Sequence, residues 1–410
     1  MIFSEDTYDE LLRALYERHP SVQNSGFTAG AYKPGLEGMR RFDAALGRPS
    51  ERLRTVHVAG TNGKGSVSSM LAAALSGAGL RTGLYTSPHL TDFRERIKIV
   101  GPGGWSMIPR EEVFRFLTER DLEGLSFFEI TTGLAFWWFA EQQVDIAVIE
   151  TGLGGRLDST NILTPELSVI TSIGLDHCAL LGDTRSAIAA EKAGIFKPGV
   201  PALCGQRDAE TAPVFEARAS VVPCPLFYAE DFDAELFETD LTGPYQAENL
   251  RTVLAALELL GIGADREALA RTAARTGLQG RWQRLREHPE VICDIGHNPP
   301  ALEINFRRLR ESGRPLLIVY GIMADKDLDA IRPMMPPDAR YVLVAPQGGR
   351  ALPVGTLAAR MQGLDCTVCG SVQAGVRQAL EAAETVPDCI LYIGGSNFVV
   401  AEAIGSFGPE

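Results

Sequence analysis

The stretch "RTVHVAGTNGKGSVSSMLAAALSG", residues 54–77, constrains the fold of this chain more than any other. Its first seven residues are rich in β-branched side chains and predict a buried strand. Three closely spaced glycines follow, and an apolar stretch then predicts a helix over residues 66–80. The side chains expected on the buried face of this helix are those of Val67, Met70, Leu71, Ala74 and Leu75. A strand that enters a helix through a tight turn is typical of parallel α/β sheets.

The same alternation of short apolar runs and helical patterns extends from Leu53 to Gly199. The further strands predicted there are "TGLYT", "DIAVIE" and "LSVITSI", and the further helices are "FEITTGLAFWWFAEQQ" and "TRSAIAAEKAG". Between Val200 and Gly280 the pattern is weaker, apart from a helix predicted in "QAENLRTVLAALELLG". Strands separated by helices indicate a parallel sheet with helices on its faces.

A second α/β region follows a boundary that we place within residues 280–289. The strands predicted after this boundary are "EVICDIG", "PLLIVYG", "ARYVLVA", "DCTVC" and "CILYIGG", with helical stretches between them. A chain of 410 residues is too long for one ordinary core, so at least two domains are expected. We predict an α/β fold with a parallel-sheet domain over residues 1–284 and a smaller Rossmann-like domain over residues 285–410.

Charge and composition restrict the partners and the compartment of the protein. The net charge of −13 argues against a general surface for nucleic acid or anionic membrane, so an anion site must be built locally. No apolar run reaches the roughly 18–20 residues that span a bilayer, and the acidic, amphipathic N-terminus is unlike a targeting signal. Seven scattered cysteines fit a reducing cytoplasm. Cys366 and Cys369 form an isolated C-x-x-C, which we interpret as part of a short buried strand in preference to a zinc or redox site.

Residues 60–66, "GTNGKGS", have the composition of a phosphate-binding loop, although the usual loop has a longer spacer before its Gly-Lys pair. Glycines at 60, 63 and 65 let the backbone approach phosphate oxygens closely. Lys64 supplies a cation for the β and γ oxygens, and Ser66 can cap the helix or contact a metal ion. The competing interpretation is a glycine-rich turn with a surface lysine, which the position between a strand and a helix disfavours.

Polar residues also follow the neighbouring predicted strands. Ser87 and His89 follow "TGLYT", Glu150 ends "DIAVIE", and Asp176 and His177 follow "LSVITSI". Ligands of open α/β sheets bind beyond the carboxyl ends of the strands, so we expect these side chains at the same edge as the phosphate loop. Oxygen ligands with one nitrogen can hold Mg²⁺ or Mn²⁺ beside phosphates. For His177 alone, a structural role fits equally well.

Short segments spread from about residue 55 to 327 occur in the order seen in one known family. These segments are "GTNGKGS", "TSPHL" with "FRERI", "FFEITTGLAFWWFA", "ETGLGGRLDSTN", "ITSIGLDH", "LGDT", "EKAGIFKPG", "DIGHNP" and "ADKD". The sequence resembles the folylpolyglutamate synthase/dihydrofolate synthase family, within the Mur ligase superfamily. The resemblance implies that the short phosphate loop is the form used by this superfamily.

The resemblance implies a P-loop ATPase-like domain followed by a Rossmann-like domain, and an ATP-dependent ligase activity. ATP would phosphorylate the γ-carboxylate of a reduced folate, and the amino group of L-glutamate would attack the acyl phosphate. Dihydropteroate remains open as a second acceptor. The implied cofactors are ATP and two Mg²⁺ ions, and the implied partners are these small-molecule substrates, with no nucleic acid or membrane. We expect a monomer.

The resemblance also implies roles for individual residues. The residues implied to bind the nucleotide are Gly60, Thr61, Asn62, Gly63, Lys64, Gly65, Ser66, Asn249, Arg281 and Asp294. The residues implied to bind magnesium are Ser87, Glu150, His177 and Lys192. The residues implied to act in catalysis are Lys64, Lys192, Asp294 and His297. Lys326 in "ADKD" is a further candidate cation.

Lys192 illustrates what the resemblance adds to the residues themselves. Read alone, it is a solvated helix lysine beside Glu191. By position it matches the family lysine that is carbamylated, a modification that turns a cation into an oxygen ligand for a second magnesium ion. The resemblance therefore implies a carbamylated Lys192.

Three segments depart from the family pattern. Trp282 and Gln283 follow Arg281, where the family commonly carries a glutamate at the second position, and "GGSNFVVAEA" lacks the usual aromatic residue after Gly-Ser. Residues 19–39 align poorly with the pterin-side loop, which is why dihydropteroate stays open.

Two alternatives to the folate ligase are weaker. A Mur-type amino-acid ligase of cell-wall precursor synthesis would carry a UDP-binding domain before the phosphate loop, which here already begins at residue 60. A non-enzymatic nucleotide-binding module would not need the metal set and "DIGHNP" together.

Overall fold

The computed structural model describes residues 2–20, 33, 35–348 and 350–407. Most of the segment expected on the pterin side, residues 19–39, lies outside the described residues. The chain divides into two compact units, Met1–Asp240 with Gln246–Leu278, and Leu241–Tyr245 with Gln279–Glu410. The boundary that the sequence predicts after residue 284 falls inside a strand of the second unit, Gln283–Arg286.

The first unit is built on an eight-stranded sheet. Its strands are β1 Thr55–Ala59, β2 Thr82–Tyr85, β3 Ile97–Gly101, β4 Gly104–Met107, β5 Ile146–Glu150, β6 Leu167–Ile170, β7 Ala202–Cys204 and β8 Leu226–Tyr228. Its described α-helices are α1 Glu5–Arg18, α2 Glu37–Ala45, α3 Pro49–Arg52, α4 Lys64–Gly77, α5 Arg110–Glu119, α6 Phe127–Glu141, α7 Cys178–Leu181, α8 Arg185–Lys192, α9 Ala212–Val221, α10 Gln246–Leu259, α11 Arg266–Ala270 and α12 Thr272–Thr276. Short 3₁₀ turns cover Phe93–Arg96, Ser159–Ile162, Ala193–Ile195 and Ala229–Asp231.

The strand order of this sheet brings the predicted site loops together. The order is β4-β3-β2-β5-β1-β6-β7-β8, and all neighbours are parallel except at the β2-β3-β4 edge, which is antiparallel. The central strands β2, β5, β1 and β6 are therefore adjacent and parallel, with Val58 paired to Glu150 and Ala59 paired to Ile170. The loops that follow these four strands leave the sheet at the same edge.

Helix α4 differs from the prediction made for it. The sequence predicts one buried face, whereas every residue from Gly65 to Ser76 is buried. The reason is that α4 packs against the sheet on one side and against α10, α11 and α12 on the other. The small residues of "KGSVSSMLAAALSG" allow this close packing on all sides because their side chains are short.

The second unit contains a six-stranded sheet. Its strands are β9 Gln283–Arg286, β10 Glu290–Asp294, β11 Leu316–Tyr320, β12 Arg340–Leu343, β13 Asp365–Val368 and β14 Ile390–Gly394. Its described helices are α13 Pro299–Glu311, α14 Leu328–Ile331, α15 Val354–Arg360, α16 Val372–Glu384 and α17 Asn397–Ile404, with 3₁₀ turns at Arg332–Met334 and Gly405–Phe407. The order is β13-β12-β11-β14-β10-β9, and only the β9–β10 pair is antiparallel.

Each face of this second sheet buries its own hydrophobic cluster. Ile318 and Tyr320 of β11 lie in one cluster, and Leu317 and Val319 lie in the other, as the two-residue period of a strand requires. Two layers of helices around a largely parallel sheet confirm the predicted α/β class for both units.

The strand predicted around Cys366 forms, but the prediction that it is buried is wrong. β13 is an edge strand, paired only with β12, and most of its residues are exposed. Cys366 and Cys369 are partly buried free thiols, as an edge position allows. Among the described residues, no helix is long and apolar enough to cross a membrane.

Candidate active site

The phosphate loop turns through two left-handed glycines between β1 and α4. Gly60 has a φ of +153° and Gly63, the N-cap of α4, has a φ of +86°. A Cβ atom at Gly63 would overlap Oδ1 of Asn249, so both the backbone angle and the space require glycine there. The loop thus places the first turn of α4, whose backbone N–H groups have no acceptor in a preceding turn of the helix, where an anion can bind.

The loop is held from behind by the segment that follows β6. Thr61 N donates to Ser172 O at 2.7 Å, and Thr61 Oγ1 donates to Gly174 O at 3.0 Å. Thr171 Oγ1 donates to Asn62 O at 2.6 Å, and Asn62 N donates to Ser172 Oγ at 3.3 Å. These hydrogen bonds from residues 171–174 hold the phosphate loop in this shape without a bound nucleotide.

Lys64 begins α4 and folds back over the loop. Its Nζ donates to Gly60 O at 3.0 Å and to Thr61 O at 3.2 Å. Both acceptors are neutral carbonyl groups, so these bonds hold the ammonium group without cancelling its charge. Lys64 therefore presents a positive charge beside the loop, as the predicted contact with phosphate oxygens requires.

Lys192, at the end of α8, lies beside the same loop. It is buried, with 4% of its surface exposed, and its Nζ donates to Gly60 O at 2.8 Å. Read alone, the sequence favours a solvated lysine at this position, and that interpretation is wrong. Burial lowers the pKa of Lys192 to about 7, with a further decrease from the charge of Lys64 and an opposing increase from Asp176. A substantial fraction of this amine is therefore neutral near pH 7.

Ser66 does not cap the helix, because α4 already begins at Lys64. Its Oγ accepts a hydrogen bond from Gln246 Nε2 at 3.2 Å, and Asn249 Nδ2 donates to Gln246 Oε1 at 2.8 Å. Gln246 and Asn249 are three positions apart and lie on one face of α10. The structure thus places Asn249 against the phosphate loop, and it adds Gln246, which the sequence analysis did not single out.

Glu150 and Ser87 meet at the ends of β5 and β2. Ser87 N donates to Glu150 Oε2 at 3.3 Å, and only 3% of the Glu150 surface is exposed. A buried carboxylate is costly unless a cation or hydrogen bonds accompany it. The guanidinium group of Arg96 interacts electrostatically with this carboxylate. The donor set, one carboxylate and one hydroxyl beside a phosphate loop, fits Mg²⁺ or Mn²⁺.

His177 lies in the loop after β6, at the start of the short helix α7. Its backbone is left-handed, with a φ of +54°, and Asp176 Oδ1 accepts from His177 N at 2.9 Å. The Nε2 atom lies 3.8 Å from Asp176 Oδ2. Within the described part of the chain, no three His, Cys, Asp or Glu residues cluster to hold a metal ion. A magnesium ion that shares its ligands between the protein and substrate phosphates needs only one or two carboxylates.

Asp158 organises the loop that follows Glu150, and the sequence analysis gave it no role. Its Oδ2 accepts from Gly152 N at 2.9 Å and Leu153 N at 2.8 Å, and its Oδ1 accepts from Thr160 N at 3.0 Å and Thr160 Oγ1 at 2.5 Å. Burial raises the pKa of Asp158, and these hydrogen bonds oppose the increase. The motif "GGRLDSTN" contains the signal, an Asp two residues before a Thr, which is typical of a side chain that closes a turn.

Asp294 plays a corresponding part in the second unit, at the end of β10. Its Oδ2 accepts from Tyr245 Oη at 2.5 Å and from Trp282 N at 2.8 Å. Its Oδ1 accepts from Asn305 Nδ2 at 2.7 Å and from Gly296 N at 2.8 Å. This carboxylate, 2% exposed, holds four segments of the second unit together. Its predicted roles in nucleotide binding and catalysis stay predictions.

Three further residues of the second unit, Arg281, His297 and Lys326, were predicted to take part. His297 Nδ1 is 3.0 Å from Ile295 O, so Nδ1 carries the proton and donates. Arg281 Nη1 donates to Gly280 O and Gln279 O, each at 3.4 Å. Lys326 lies in the loop after β11. These positions leave the predicted roles of His297, Arg281 and Lys326 as predictions.

Comparison with protein families divides the chain in a similar way. Residues 58–227 match the Mur ligase middle domain, and residues 280–396 match the Mur ligase glutamate ligase domain. The first match covers the phosphate loop and the metal-site candidates, and the second covers Asp294 and His297.

Curated relatives identify the family. The chain is 34% identical over 409 residues to the "probable bifunctional folylpolyglutamate synthase/dihydropteroate synthase" of Haloferax volcanii, with 90% of this chain and 48% of that protein covered. It is 32% identical over 420 residues to the "dihydrofolate synthase/folylpolyglutamate synthase" of Haemophilus influenzae, with 90% of this chain and 93% of that protein covered. The chain belongs to the folylpolyglutamate synthase/dihydrofolate synthase family. The family resemblance predicted from the motifs is therefore confirmed.

The family members differ in length. The chain spans about half the length of the Haloferax relative, at 48%, but 90% of the folylpolyglutamate synthase of Lacticaseibacillus casei, to which it is 32% identical.

Solved structures of family members share the fold over almost the whole chain. Escherichia coli FolC in complex with DHPP and ADP superimposes with a TM-score of 0.82 at 28% identity, covering 97% of each chain. The bifunctional folylpolyglutamate synthase/dihydrofolate synthase of Yersinia pestis, complexed with AMPPNP and a Mn ion, gives a TM-score of 0.82 at 27% identity, again covering 97% of each chain.

Proposed function

We propose that this chain is an ATP-dependent ligase that adds L-glutamate to the γ-carboxylate of a reduced folate. The observation that carries the proposal is the edge of the first sheet, where the phosphate loop, Lys64, Lys192 and Glu150 lie together in a member of this family. We also propose that the chain acts as a cytoplasmic monomer, a state that light scattering of the purified protein would test.

The reaction follows from the weakness of a carboxylate as an acyl donor. The γ-phosphoryl group passes from ATP to a carboxylate oxygen, which gives an acyl phosphate and ADP. The glutamate nitrogen then attacks the carbonyl carbon, a C–N bond forms, the C–O bond to phosphate breaks, and the nitrogen loses a proton. Each step brings negative charges together, so catalysis depends on positioning and on charge neutralisation.

The residues of the first unit supply that neutralisation. The backbone N–H groups at the start of α4 and the ammonium group of Lys64 face the position proposed for the β and γ phosphates. Asn249 and Gln246 hold the other side of the first turn through Ser66. These groups keep their arrangement through protein hydrogen bonds, so little reorganisation is needed when ATP binds.

Ser87, Glu150 and His177 are the residues that would hold a divalent metal ion. The buried Glu150 carboxylate beside Ser87 fits this role, and the Yersinia relative binds Mn together with AMPPNP. Mg²⁺ bound there would neutralise phosphate charge and orient the transferred group. We propose two such ions, as in our sequence-based expectation.

We further propose that Lys192 is carbamylated. The amine nitrogen would attack CO₂ and lose a proton, giving a carbamate anion next to the ammonium group of Lys64. Burial favours this reaction because it lowers the pKa of Lys192 to about 7, and only the neutral amine can attack CO₂.

Replacement of Lys192 by Ala tests the carbamate. The turnover of the Lys192→Ala enzyme should fall by about a hundredfold, which is the upper part of the range for groups that support a metal site. Added acetate or bicarbonate should partly restore this turnover. Isotope-labelled CO₂ should label the parent protein at Lys192. The matched control is Lys98→Ala, since Lys98 Nζ also donates to carbonyl groups, those of Thr276 and Gly277, which lie outside the phosphate loop. Unchanged turnover in the Lys192→Ala enzyme would exclude the carbamate.

Release of phosphate tests the main proposal. Purified protein with ATP, Mg²⁺ and L-glutamate should release phosphate only when an acceptor is added. A reduced folate and dihydropteroate should be compared side by side, because the Haemophilus relative is named for both activities. Turnover with the folate alone assigns a single activity, and turnover with both assigns two. No turnover with either acceptor would contradict the proposed function.

A further inference from the structure

We propose that His57 is a positioning residue for the ligase reaction, acting through Thr160 and Asp158 on the loop that follows Glu150. The kinetic part of this inference rests on the proposed function. Its structural part rests on a chain of hydrogen bonds inside the first unit. His57 lies in the middle of β1, three residues before Gly60, and its side chain points away from the phosphate loop towards residues 151–161.

The first step is the loop that Asp158 closes. Residues 151–157 leave the sheet directly after Glu150, and two of their backbone N–H groups, those of Gly152 and Leu153, donate to Asp158 Oδ2. Thr160 supplies the two donors to Oδ1. Four hydrogen bonds compensate the buried carboxylate, so the loss of one would raise its free energy and loosen the turn.

The second step fixes the direction of the hydrogen bonds. The Thr160 hydroxyl has one proton, and Asp158 Oδ1, at 2.5 Å, takes it because a carboxylate can only accept. The hydroxyl oxygen must therefore accept from His57 Nε2, which lies 2.8 Å away. His57 is thus protonated at Nε2. Its Nδ1 is a buried nitrogen with no hydrogen-bond partner among the described residues.

The third step connects the loop to Lys192. Arg156 N donates to Glu191 O at 2.8 Å, and Asn161 Nδ2 donates to Arg156 O and Gly194 O at 3.0 and 3.1 Å. A Cβ atom at Gly155 would come within 3.0 Å of the Lys192 backbone, so the loop packs directly on the end of α8. One loop therefore joins Glu150 to the segment that carries Lys192.

Two separate sets of hydrogen bonds therefore hold the phosphate loop and the loop that follows Glu150. The phosphate loop is held by Thr171, Ser172 and Gly174, none of which belongs to the His57 chain. Loss of the His57 donor should therefore leave nucleotide binding intact and misplace Glu150 relative to Lys192. Groups that orient residues around a reacting centre typically contribute 10- to 100-fold to activity.

Paired variants at His57 and Thr160 test this inference. His57→Gln keeps an amide donor close to the position of Nε2, whereas His57→Leu removes it. Thr160→Ser keeps the hydroxyl group, whereas Thr160→Val removes it at nearly constant volume. For each variant we would measure kcat, KM for ATP, the Kd for ADP, the thermal unfolding midpoint, and amide hydrogen exchange over residues 150–160.

We expect the Leu and Val substitutions to lower kcat by about tenfold or more, with the Kd for ADP changed less than about threefold. Exchange over residues 150–160 should become faster in these two variants. The Gln and Ser substitutions should stay within about threefold of the parent, a rescue that a role in packing alone would not produce. If His57→Leu does not fold, Thr160→Val decides, since it removes the His57–Thr160 bond, together with the hydroxyl bond to Asp158, without touching β1.

Two results would overturn the inference. One is a folded Thr160→Val enzyme with the parent's kcat, and the other is unchanged exchange over residues 150–160 in both the Leu and the Val variants. If the parent itself shows no turnover with any acceptor, the proposed function fails, and the exchange data alone then decide whether His57 positions the loop.

Discussion

The carboxyl edges of the two sheets carry motif residues that are held in opposite ways. In the first unit, the Nζ atoms of Lys64 and Lys192 both donate to a neutral carbonyl, Gly60 O, at 3.0 and 2.8 Å. In the second unit, Asp294 accepts four hydrogen bonds, two of them from backbone N–H groups. At the first edge the described hydrogen bonds of both Nζ atoms go to carbonyl oxygens, whereas at the second edge the carboxylate of Asp294 holds loops in place.

This difference distinguishes residues that act on a ligand from residues that support the structure. Lys64, held by two carbonyl groups, keeps its positive charge available for phosphate. A carboxylate whose lone pairs accept four protein donors has little capacity left for a ligand. Substitution at the first edge should therefore lower activity while stability is kept, and substitution at Asp294 should lower stability first.

Lys64→Met should give the largest effect. Removing a cation that faces the transferred phosphoryl group should reduce kcat/KM for ATP by about a thousandfold, at the upper end for one charge-stabilising group. The thermal unfolding midpoint should change little, since one of the two acceptors, Gly60 O, still accepts from Lys192 Nζ. Lys98→Met is the matched control, since Lys98 Nζ also donates to two carbonyl groups, Thr276 O and Gly277 O, and its expected loss is below about threefold. Retention of more than a tenth of the parent's kcat/KM would remove Lys64 from the reaction.

Asp294→Ala should give the next largest effect, and on stability. It removes the acceptor of four hydrogen bonds, two of them buried, and we expect a loss of about 3 kcal/mol in the free energy of unfolding of the second unit. Asp365→Ala, in the exposed strand β13, is the control and should change stability by less than about 0.5 kcal/mol. A stable Asp294→Ala protein that has lost nucleotide binding would contradict the comparison, and it would support the ligand role that the resemblance implies.

The central strands of the two sheets could be predicted because each combines a short apolar run with a flanking glycine or polar cap. The strands that contain Glu150 and Asp294 end at those residues, as their position after apolar runs indicates. The β3–β4 hairpin was not predicted, because its exposed second strand, Gly104–Met107, has no apolar period of its own. The all-round burial of α4 was missed because the residues that cover its outer face, α10 to α12, lie far away in the sequence.

The site was predictable in part for similar reasons. Motif order points to Lys64, Glu150 and Lys192 because each has a side chain with recognisable chemistry. Gln246 and Thr160 were not predicted, because each acts through a hydrogen bond to a side chain that is distant in the sequence. Gln246 Nε2 lies 3.2 Å from Ser66 Oγ, and Thr160 Oγ1 lies 2.8 Å from His57 Nε2. The role of Tyr245 was not predicted for the same reason, since its hydrogen-bond partner Asp294 lies on a strand that is distant in the sequence.

Gly63→Ala should sharpen the view that the first edge depends on backbone geometry. An alanine with positive φ costs about 1 kcal/mol, and at Gly63 the added Cβ also overlaps Asn249 Oδ1. Gly79→Ala isolates the first term, because Gly79 has a φ of +90° and nothing within 4 Å of its Cβ position. We expect the stability to be lower by about 1 kcal/mol for Gly79→Ala and by about 2 kcal/mol for Gly63→Ala. Of the two variants, only Gly63→Ala should weaken ADP binding. Equal effects on ADP binding would contradict the close contact with Asn249.

The smallest effect concerns pH and the buried histidine behind the first edge. Burial lowers the pKa of His57 from 6.5 to about 3, with a further decrease from the charge of Lys197. Between these two values the unfolded chain binds a proton at this residue and the folded chain does not, so stability falls as the pH falls below 6.5. The loss should approach about 1.4 kcal/mol at pH 5.5, since one pH unit corresponds to about that energy.

His57→Gln lacks the titrating group, so its stability relative to the parent should improve by that amount between pH 7.5 and 5.5. Denaturant unfolding at the two pH values measures this difference in stability. If the parent and the His57→Gln protein show the same pH dependence, the folded protein binds a proton at His57 as readily as the unfolded chain does.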